Sequence, residues 1–174
     1  MLFRSALLGA AGGWLWWAWW GPAPQGKIYD TPAGKAWYPD PFDPGITRDF
    51  SGTATYVVIA FGLALLLGLA GGWLARNRAV AGIVAVLVGA GLGVLVMTLL
   101  GESFSPADPA TLLAGHKAGD TLPGHLTVAS WTPYLAWPVG AMLAYLVLML
   151  SLNPTTAGES VRPEQPSAAP APQG

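Results

Sequence analysis

The first residues that suggest chemistry are two histidines and two acids in one stretch of the chain. His116 and His125 lie near Asp108 and Asp120, and imidazole and carboxylate groups together can ligate a divalent metal such as Zn²⁺. The spacing matches no specific metal-binding template. The ordinary role of such histidines in a loop is structural or solvated, and that interpretation is favoured here.

A second group of acids, Asp40, Asp43 and Asp49, lies in an earlier stretch. Carboxylate oxygens are the ligands that Ca²⁺ prefers. These acids alternate with Pro and Gly in Asp40-Pro41-Phe42-Asp43-Pro44-Gly45, which is turn chemistry. Capping of turns is therefore the favoured role.

A nucleophile and a base could be sought in Ser103, Ser105 and His116, but nothing in their spacing supports the pair. The chain has no cysteine, which excludes thiolate ligands, disulfides and a Cys nucleophile. No charge lies in the central part of any long apolar run, where proton relays and ion pathways generally need one. The sequence predicts no catalytic residue, no bound metal, no cofactor and no enzyme.

The composition indicates the class of protein that carries these residues. Of 174 residues, 53% are hydrophobic and only 10% are charged, whereas soluble domains have about 25% charged residues. A soluble globular domain is therefore improbable. The balance of 8 Lys and Arg against 9 Asp and Glu excludes a basic nucleic-acid binder.

The charges leave four long uncharged windows, and each contains an apolar run that can cross a hydrocarbon core of about 30 Å as a helix. We predict an all-α membrane protein, a four-helix transmembrane bundle within residues 1–152. The predicted helices cover 2–20, 53–75, 79–100 and 132–152. A cleaved signal peptide is the alternative for the first run, but its Trp-rich end and the absence of a clean cleavage site favour a retained helix.

Orientation follows from the cations. Arg4, Arg76, Arg78 and Arg162 flank the apolar runs on one side, which the positive-inside rule assigns to the cytoplasm. Both termini are then cytoplasmic, in a multi-pass protein of the cell membrane. The segments 21–52 and 101–131 lie outside. Residues 153–174, rich in Pro, Ala, Ser and Gln, are expected to form a disordered cytoplasmic tail.

Small residues four apart run along every predicted helix. Such ladders let transmembrane helices approach closely, within one chain or between copies. The glycines assigned to this role are Gly9, Gly13, Gly68, Gly72, Gly89, Gly93 and Gly140.

Aromatic residues gather at the predicted outer ends of the helices. At 100° per residue, Trp16, Trp17 and Trp20 lie on or beside the small-residue face of the first helix, and Trp14 and Trp19 do not. Packing and interfacial anchoring are the ordinary roles. A contact site for an apolar ligand or a partner is the sharper alternative, with residues Trp16, Trp17, Trp20, Trp131, Tyr134 and Trp137.

The two outer segments are predicted to pair into a small cap. Lys27–Asp30 and Lys35–Tyr38 flank Thr31-Pro32-Ala33-Gly34, which suits a type I turn, so a hairpin is expected. A short helix over Pro109–Ala114 capped by Asp108 and a possible third strand at Leu126–Ser130 complete the prediction.

One further indication is a resemblance. The chain has Trp-Trp-Gly-Pro at 19–22, a tight Arg-containing turn, and Trp-Thr-Pro-Tyr-Leu-Ala-Trp-Pro at 131–138. With this layout, residues 2–152 resemble a family of actinobacterial four-helix integral membrane proteins of unknown function. The resemblance implies the four-helix fold and supplies no activity, cofactor or functional residue.

Three functions remain open from the sequence. The leading one is a non-enzymatic accessory or scaffold component of the cell envelope or of a membrane complex, with the lipid bilayer, and a membrane protein or a second copy, as partners. The second is binding or transport of a lipid or small apolar ligand at the outer aromatic cluster. The third, an enzyme, would need His116, His125 and acids in one cleft.

Overall fold

The computed structural model describes residues 2–41, 48–128 and 130–152, without the side chains of 48–50. The chain is mostly helical, with a small antiparallel sheet near one end of the helices. The helices are α1 Leu2–Trp20, α2 Arg48–Leu74, α3 Ala79–Ser103, α4 Pro109–Leu112 and α5 Ala136–Leu152. The strands are β1 Gln25–Thr31, β2 Gly34–Pro39 and β3 Thr121–Pro123. The predicted tail, 153–174, lies outside the described residues.

Among the described residues, three helical spans are long and apolar enough to cross a membrane, which is compatible with a membrane protein. They are Ser51–Leu74, Ala79–Ser103 and Thr132–Leu152. The last begins with a 3-10 turn, Thr132–Leu135, before α5, so α-helix starts later there than predicted. Pro133 in the first turn and Pro138 near the start of α5 both lie where an amide donor is not required.

The first predicted helix forms over the predicted residues, Leu2–Trp20, but it is not among those three spans. Its mean hydropathy is lowered by Arg4, by four glycine or serine residues and by five tryptophans. The burial of its tryptophans follows the 3.6-residue period. Trp16 is buried, whereas Trp14 and Trp19 are more than half exposed.

The four long helices form one bundle in which α1 packs on α3, α2 packs on α5, and α3 joins the two pairs. Small residues make this close approach possible. A Cβ on Gly13 would lie 2.7 Å from the Met97 carbonyl oxygen, and a Cβ on Gly68 would lie 2.9 Å from Ala144 Cβ. The ladders therefore meet within one chain.

All seven ladder glycines contact a neighbouring helix. Gly9, Gly13 and Gly89 lie between α1 and α3, Gly68, Gly72 and Gly140 between α2 and α5, and Gly93 under Trp137 between α3 and α5.

The cap is a three-stranded antiparallel sheet in the order β2-β1-β3. The predicted hairpin is present, with Thr31 opposite Gly34 and Lys27 opposite Tyr38. The predicted third strand is misplaced. Residues 121–123 pair with 25–27, and 126–128 have no regular secondary structure. The reason is that Leu126 and Val128 are buried in the core of the helical bundle, at 1% and 9% exposure, and so are not available to a sheet.

The cap has a small core of its own. Ile28 and Leu122 are buried but do not belong to the hydrophobic core of the helical bundle. Trp37 lies across the sheet and donates from Nε1 to the Leu122 carbonyl at 3.0 Å. Its ring lies against Gly26, where a Cβ would collide with it. A glycine is therefore required at that point of β1.

The short helix of the second outer segment forms as α4, followed by a 3-10 turn at Leu113–Gly115. Asp108 caps α4 by accepting a hydrogen bond from the Ala110 amide at 2.9 Å. Lys35 on β2 donates to the His116 carbonyl. This segment is thus joined to the sheet, and the two outer segments form one cap.

Candidate functional site

The predicted outer aromatic cluster divides into buried and exposed members. Trp16 and Trp137 have no exposed surface. Trp16 donates from Nε1 to the Gly52 carbonyl at 2.8 Å, and Trp137 donates to Met97 Sδ at 3.4 Å. Buried indoles with satisfied donors in a packed core have the properties of structural residues.

The other members lie at the rim. Trp17 and Trp20 are half-buried against the core, as is Tyr134, whose ring meets Tyr56 edge-on at 5.6 Å. Trp131 is 71% exposed. Because Trp16 and Trp137 are wholly buried and Trp131 is mostly exposed to solvent, these aromatic residues do not line a common open pocket.

A cavity of mixed polarity does lie where the cap meets α1. It has a volume of about 470 Å³ and is lined by Trp20, Pro22, Ala23, Pro24, Gln25, Asp40 and Ser51. Of the predicted aromatic cluster, only Trp20 contributes to it.

Two of the candidate metal ligands, His116 and Asp120, contact backbone groups three or four residues away in the chain. His116 Nδ1 lies 3.0 Å from the Leu112 carbonyl oxygen, and Asp120 accepts from the Lys117 amide at 2.9 Å. Within residues 2–41, 48–128 and 130–152, no three His, Asp or Glu side chains lie together in a way that could hold a metal ion. Asp43 and the side chain of Asp49 lie outside the described residues, and Asp40 forms an ion pair with Lys27.

Ser105 does meet a histidine, but that residue is His125, with 3.3 Å between Oγ and Nδ1. The same Nδ1 lies 2.7 Å from the Pro106 carbonyl oxygen. A carbonyl can only accept, so Nδ1 carries the proton and cannot take one from Ser105. Ser105 Oγ also accepts from the Leu126 amide at 2.7 Å. This arrangement positions the segment leading to Leu126 and does not activate Ser105 as a nucleophile.

The exposed face of the hairpin presents two tyrosines. Tyr29 and Tyr38 lie on the same face because Tyr38 is opposite Lys27, two residues before Tyr29. Their ring centroids are 6.0 Å apart, and they are 45% and 40% exposed. The adjacent ion pair raises the pKa of Lys27 above its ordinary value, through its hydrogen bond to Asp40 and the Asp40 charge. Below, the cap face means Lys27, Tyr29, Tyr38 and Asp40.

At the opposite end of the bundle, a groove separates α1 from α2. Its volume is about 350 Å³, and its lining is Arg4, Leu7, Leu8, Leu66, Leu67, Ala70, Gly71 and Leu74. This groove, called the inner groove below, is apolar apart from one guanidinium. A second cleft on the far side of Leu74 contains Asn77 and Arg78.

The two ends differ in charge. Every described Asp and Glu lies in the cap or at the cap end of a helix. The other end, as far as it is described, carries Arg4, Arg76 and Arg78, and the guanidinium of Arg76 lies 5.2 Å from the Trp73 ring centre. The groove end is therefore cationic.

Sequence reasoning missed both the cap face and the inner groove. In the sequence, Arg4 indicates only the orientation of α1, although its position one turn before Leu7 and Leu8 places a cation beside apolar side chains on one helix face. The sequence places Tyr29 and Tyr38 in the hairpin and predicts no further role for them. No local sequence pattern predicts that α1 and α2 together line a groove.

No family model matches the chain, and no curated protein or solved structure matches it.

Proposed function

We propose that this chain is a multi-pass protein of the cell membrane with four membrane-spanning helices, both termini in the cytoplasm and the cap outside. In this proposal it is a non-enzymatic accessory component of a membrane or envelope complex. It belongs to the actinobacterial family that the sequence resembles. The cap face is where it binds its partner.

Support for α1 as the fourth span comes from its position along α3. Gly89 faces Ser5 at one end of the contact, and Gly101 faces Trp16 at the other. Twelve residues of α3 correspond to about 18 Å, so α1 lies at the same depth as a helix that is long and apolar enough to span. The outward face of α1 is apolar, with Phe3 76% exposed and Leu7 54% exposed.

The observation that carries the partner-binding role is the cap face. Tyrosine is enriched at protein interfaces because its ring gives a large contact area while its hydroxyl stays hydrogen-bonded. The cap holds this face in a fixed position, because Trp37, the β3 pairing and the Lys35 contact connect the sheet to the second outer segment. A rigid surface loses little entropy on binding.

Site-specific photo-crosslinking tests the role. A photoreactive phenylalanine analogue at Tyr38 should give a discrete crosslinked protein in intact cells, and Tyr29→Ala should weaken it. The matched control is the same analogue at Trp19, an exposed aromatic position on α1. A crosslinking pattern at Tyr38 that is no different from that at Trp19 would contradict the proposal.

The alternative site for a lipid or apolar ligand, the outer aromatic cluster, has weaker support. Trp16 and Trp137 are wholly buried with satisfied donors, so a ligand there would have to displace core contacts. A ligand at the other end of the bundle is better supported.

A further inference from the structure

We propose that the inner groove binds an anionic phospholipid of the cytoplasmic leaflet, with one acyl chain between α1 and α2 and the headgroup phosphate on Arg4. This goes beyond the accessory role and rests on the membrane placement proposed above. The ligand chemistry follows from the lining, the length and the charge of the groove.

The lining suits a hydrocarbon chain. Seven of the eight residues around the groove are Leu, Ala or Gly, so it offers no hydrogen-bond partner along its length. Water finds no hydrogen-bond partner there, whereas each methylene group of an acyl chain is stabilised by leaving water. The small residues Ala70 and Gly71 keep the groove open between the leucines of the two helices.

The length suits one leaflet. Along α2 the lining extends from Leu66 to Leu74, a rise of eight residues or about 12 Å at 1.5 Å per residue. One leaflet contributes about 15 Å of a hydrocarbon core of about 30 Å. A groove of this length at one end of the bundle matches the depth of a single acyl chain.

The charge selects the headgroup. Arg4 is exposed and is the one charged residue that lines the groove, and no described Asp or Glu lies at that end of the bundle to neutralise it. A guanidinium can bind phosphate through two hydrogen bonds. Arg76 and Arg78 add two positive charges at the same end, and the cytoplasmic leaflet supplies anionic lipids.

Native mass spectrometry of the full-length protein in mild detergent tests the headgroup. The probes are phosphatidylglycerol and phosphatidylcholine with identical palmitoyl and oleoyl chains. Wild type should retain more phosphatidylglycerol. Arg4→Gln should lower that retention about fivefold, the effect of one cation at an anionic surface, and Arg4→Lys should restore most of it.

The matched control is Arg78→Gln, which removes the same charge from the same end but outside the groove. Its loss should be clearly smaller. If Arg78→Gln lowers retention as much as Arg4→Gln, the binding is general electrostatic attraction. If neither variant lowers retention, Arg4 does not bind the headgroup. Either result contradicts the proposal.

A second variant tests the groove itself. Ala70→Leu fills it and should reduce retention of both lipids. Gly62→Leu adds a leucine to the same helix where an added Cβ meets nothing within 4 Å, and it should leave retention unchanged. Equal retention by Ala70→Leu and Gly62→Leu would overturn the acyl-chain site. Melting temperatures of both variants near that of wild type establish that the fold is intact.

These measurements are independent of the accessory role. Lipid retention in detergent does not depend on a partner or on which side faces the cytoplasm. Crosslinking at Tyr38 does not depend on the groove, so failure of one proposal is distinguishable from failure of the other.

Discussion

The two ends of the helical bundle solve different packing problems. At the cap end, Trp16, Tyr56 and Trp137 fill the space between the helices, and Leu126 and Val128 close it from above. At the other end, α1 and α2 separate around the inner groove. The cap end carries all the described acids, whereas the described charged residues at the groove end are arginines. The helices are therefore closely packed at the cap end, and two of them separate at the groove end.

The largest expected effect is on labelling, because it is all or none. Asn77→Cys lies in the exposed turn between α2 and α3, and Ala33→Cys lies at the exposed tip of the hairpin. Since the chain has no other cysteine, a membrane-impermeant thiol reagent should label only Ala33→Cys in intact cells. Labelling of Asn77→Cys instead would reverse the orientation of the two ends.

Packing should differ sharply along α1. Gly13→Leu would force a side chain into the α3 backbone, where even a Cβ lies 2.7 Å from the Met97 carbonyl oxygen. Overpacking of this kind costs about 1–3 kcal/mol or more, which would lower the melting temperature in detergent by several degrees.

Two matched variants sharpen this test. Gly91→Leu places the same side chain where an added Cβ meets open space, and Ala70→Leu places one in the inner groove. Both should melt close to wild type. A Gly13→Leu protein as stable as Gly91→Leu would mean that α1 and α3 do not pack as closely as described.

The cap should become more accessible to protease when the side chain that connects it to the bundle core is truncated. Leu126 is 1% exposed, so Leu126→Ala should cost about 2–5 kcal/mol of stability and accelerate trypsin cleavage after Lys35. Leu112→Ala, at a position that is 36% exposed, is the control and should have little effect. Unchanged cleavage in Leu126→Ala would show that the cap is ordered without this contact.

The smallest expected effect is a pH dependence of the hairpin. Asp40 raises the pKa of Lys27 above its ordinary value of 10.5, so the pair stabilises the cap fully below that pH and is lost as pH rises through the higher folded-state pKa. The lysine is solvent-exposed, so the effect is small. Trp37 fluorescence between about pH 9 and about pH 12 should show it, and Asp40→Asn should abolish it. An identical titration in Asp40→Asn would contradict the ion pair's role.

The sequence by itself determined the elements with strong local or periodic signals. The four apolar runs, the turn at Thr31–Gly34 and the Asp108 cap each depend on neighbouring residues. Helices form over all four runs, and their ends, like those of the hairpin strands and α4, lie within five residues of the predicted ones. The period of α1 likewise separated buried Trp16 from exposed Trp14 and Trp19.

Only the tertiary structure decided what each apolar residue packs against. The alternating run at Leu126–Val128 has the pattern of a strand, yet burial in the bundle core outweighs strand pairing, and the less apolar Thr121–Pro123 pairs instead. The inner groove depends on where α1 and α2 diverge, and side chains about sixty residues apart line it. No local pattern predicts where α1 and α2 separate, because the separation depends on how the four long helices pack against one another.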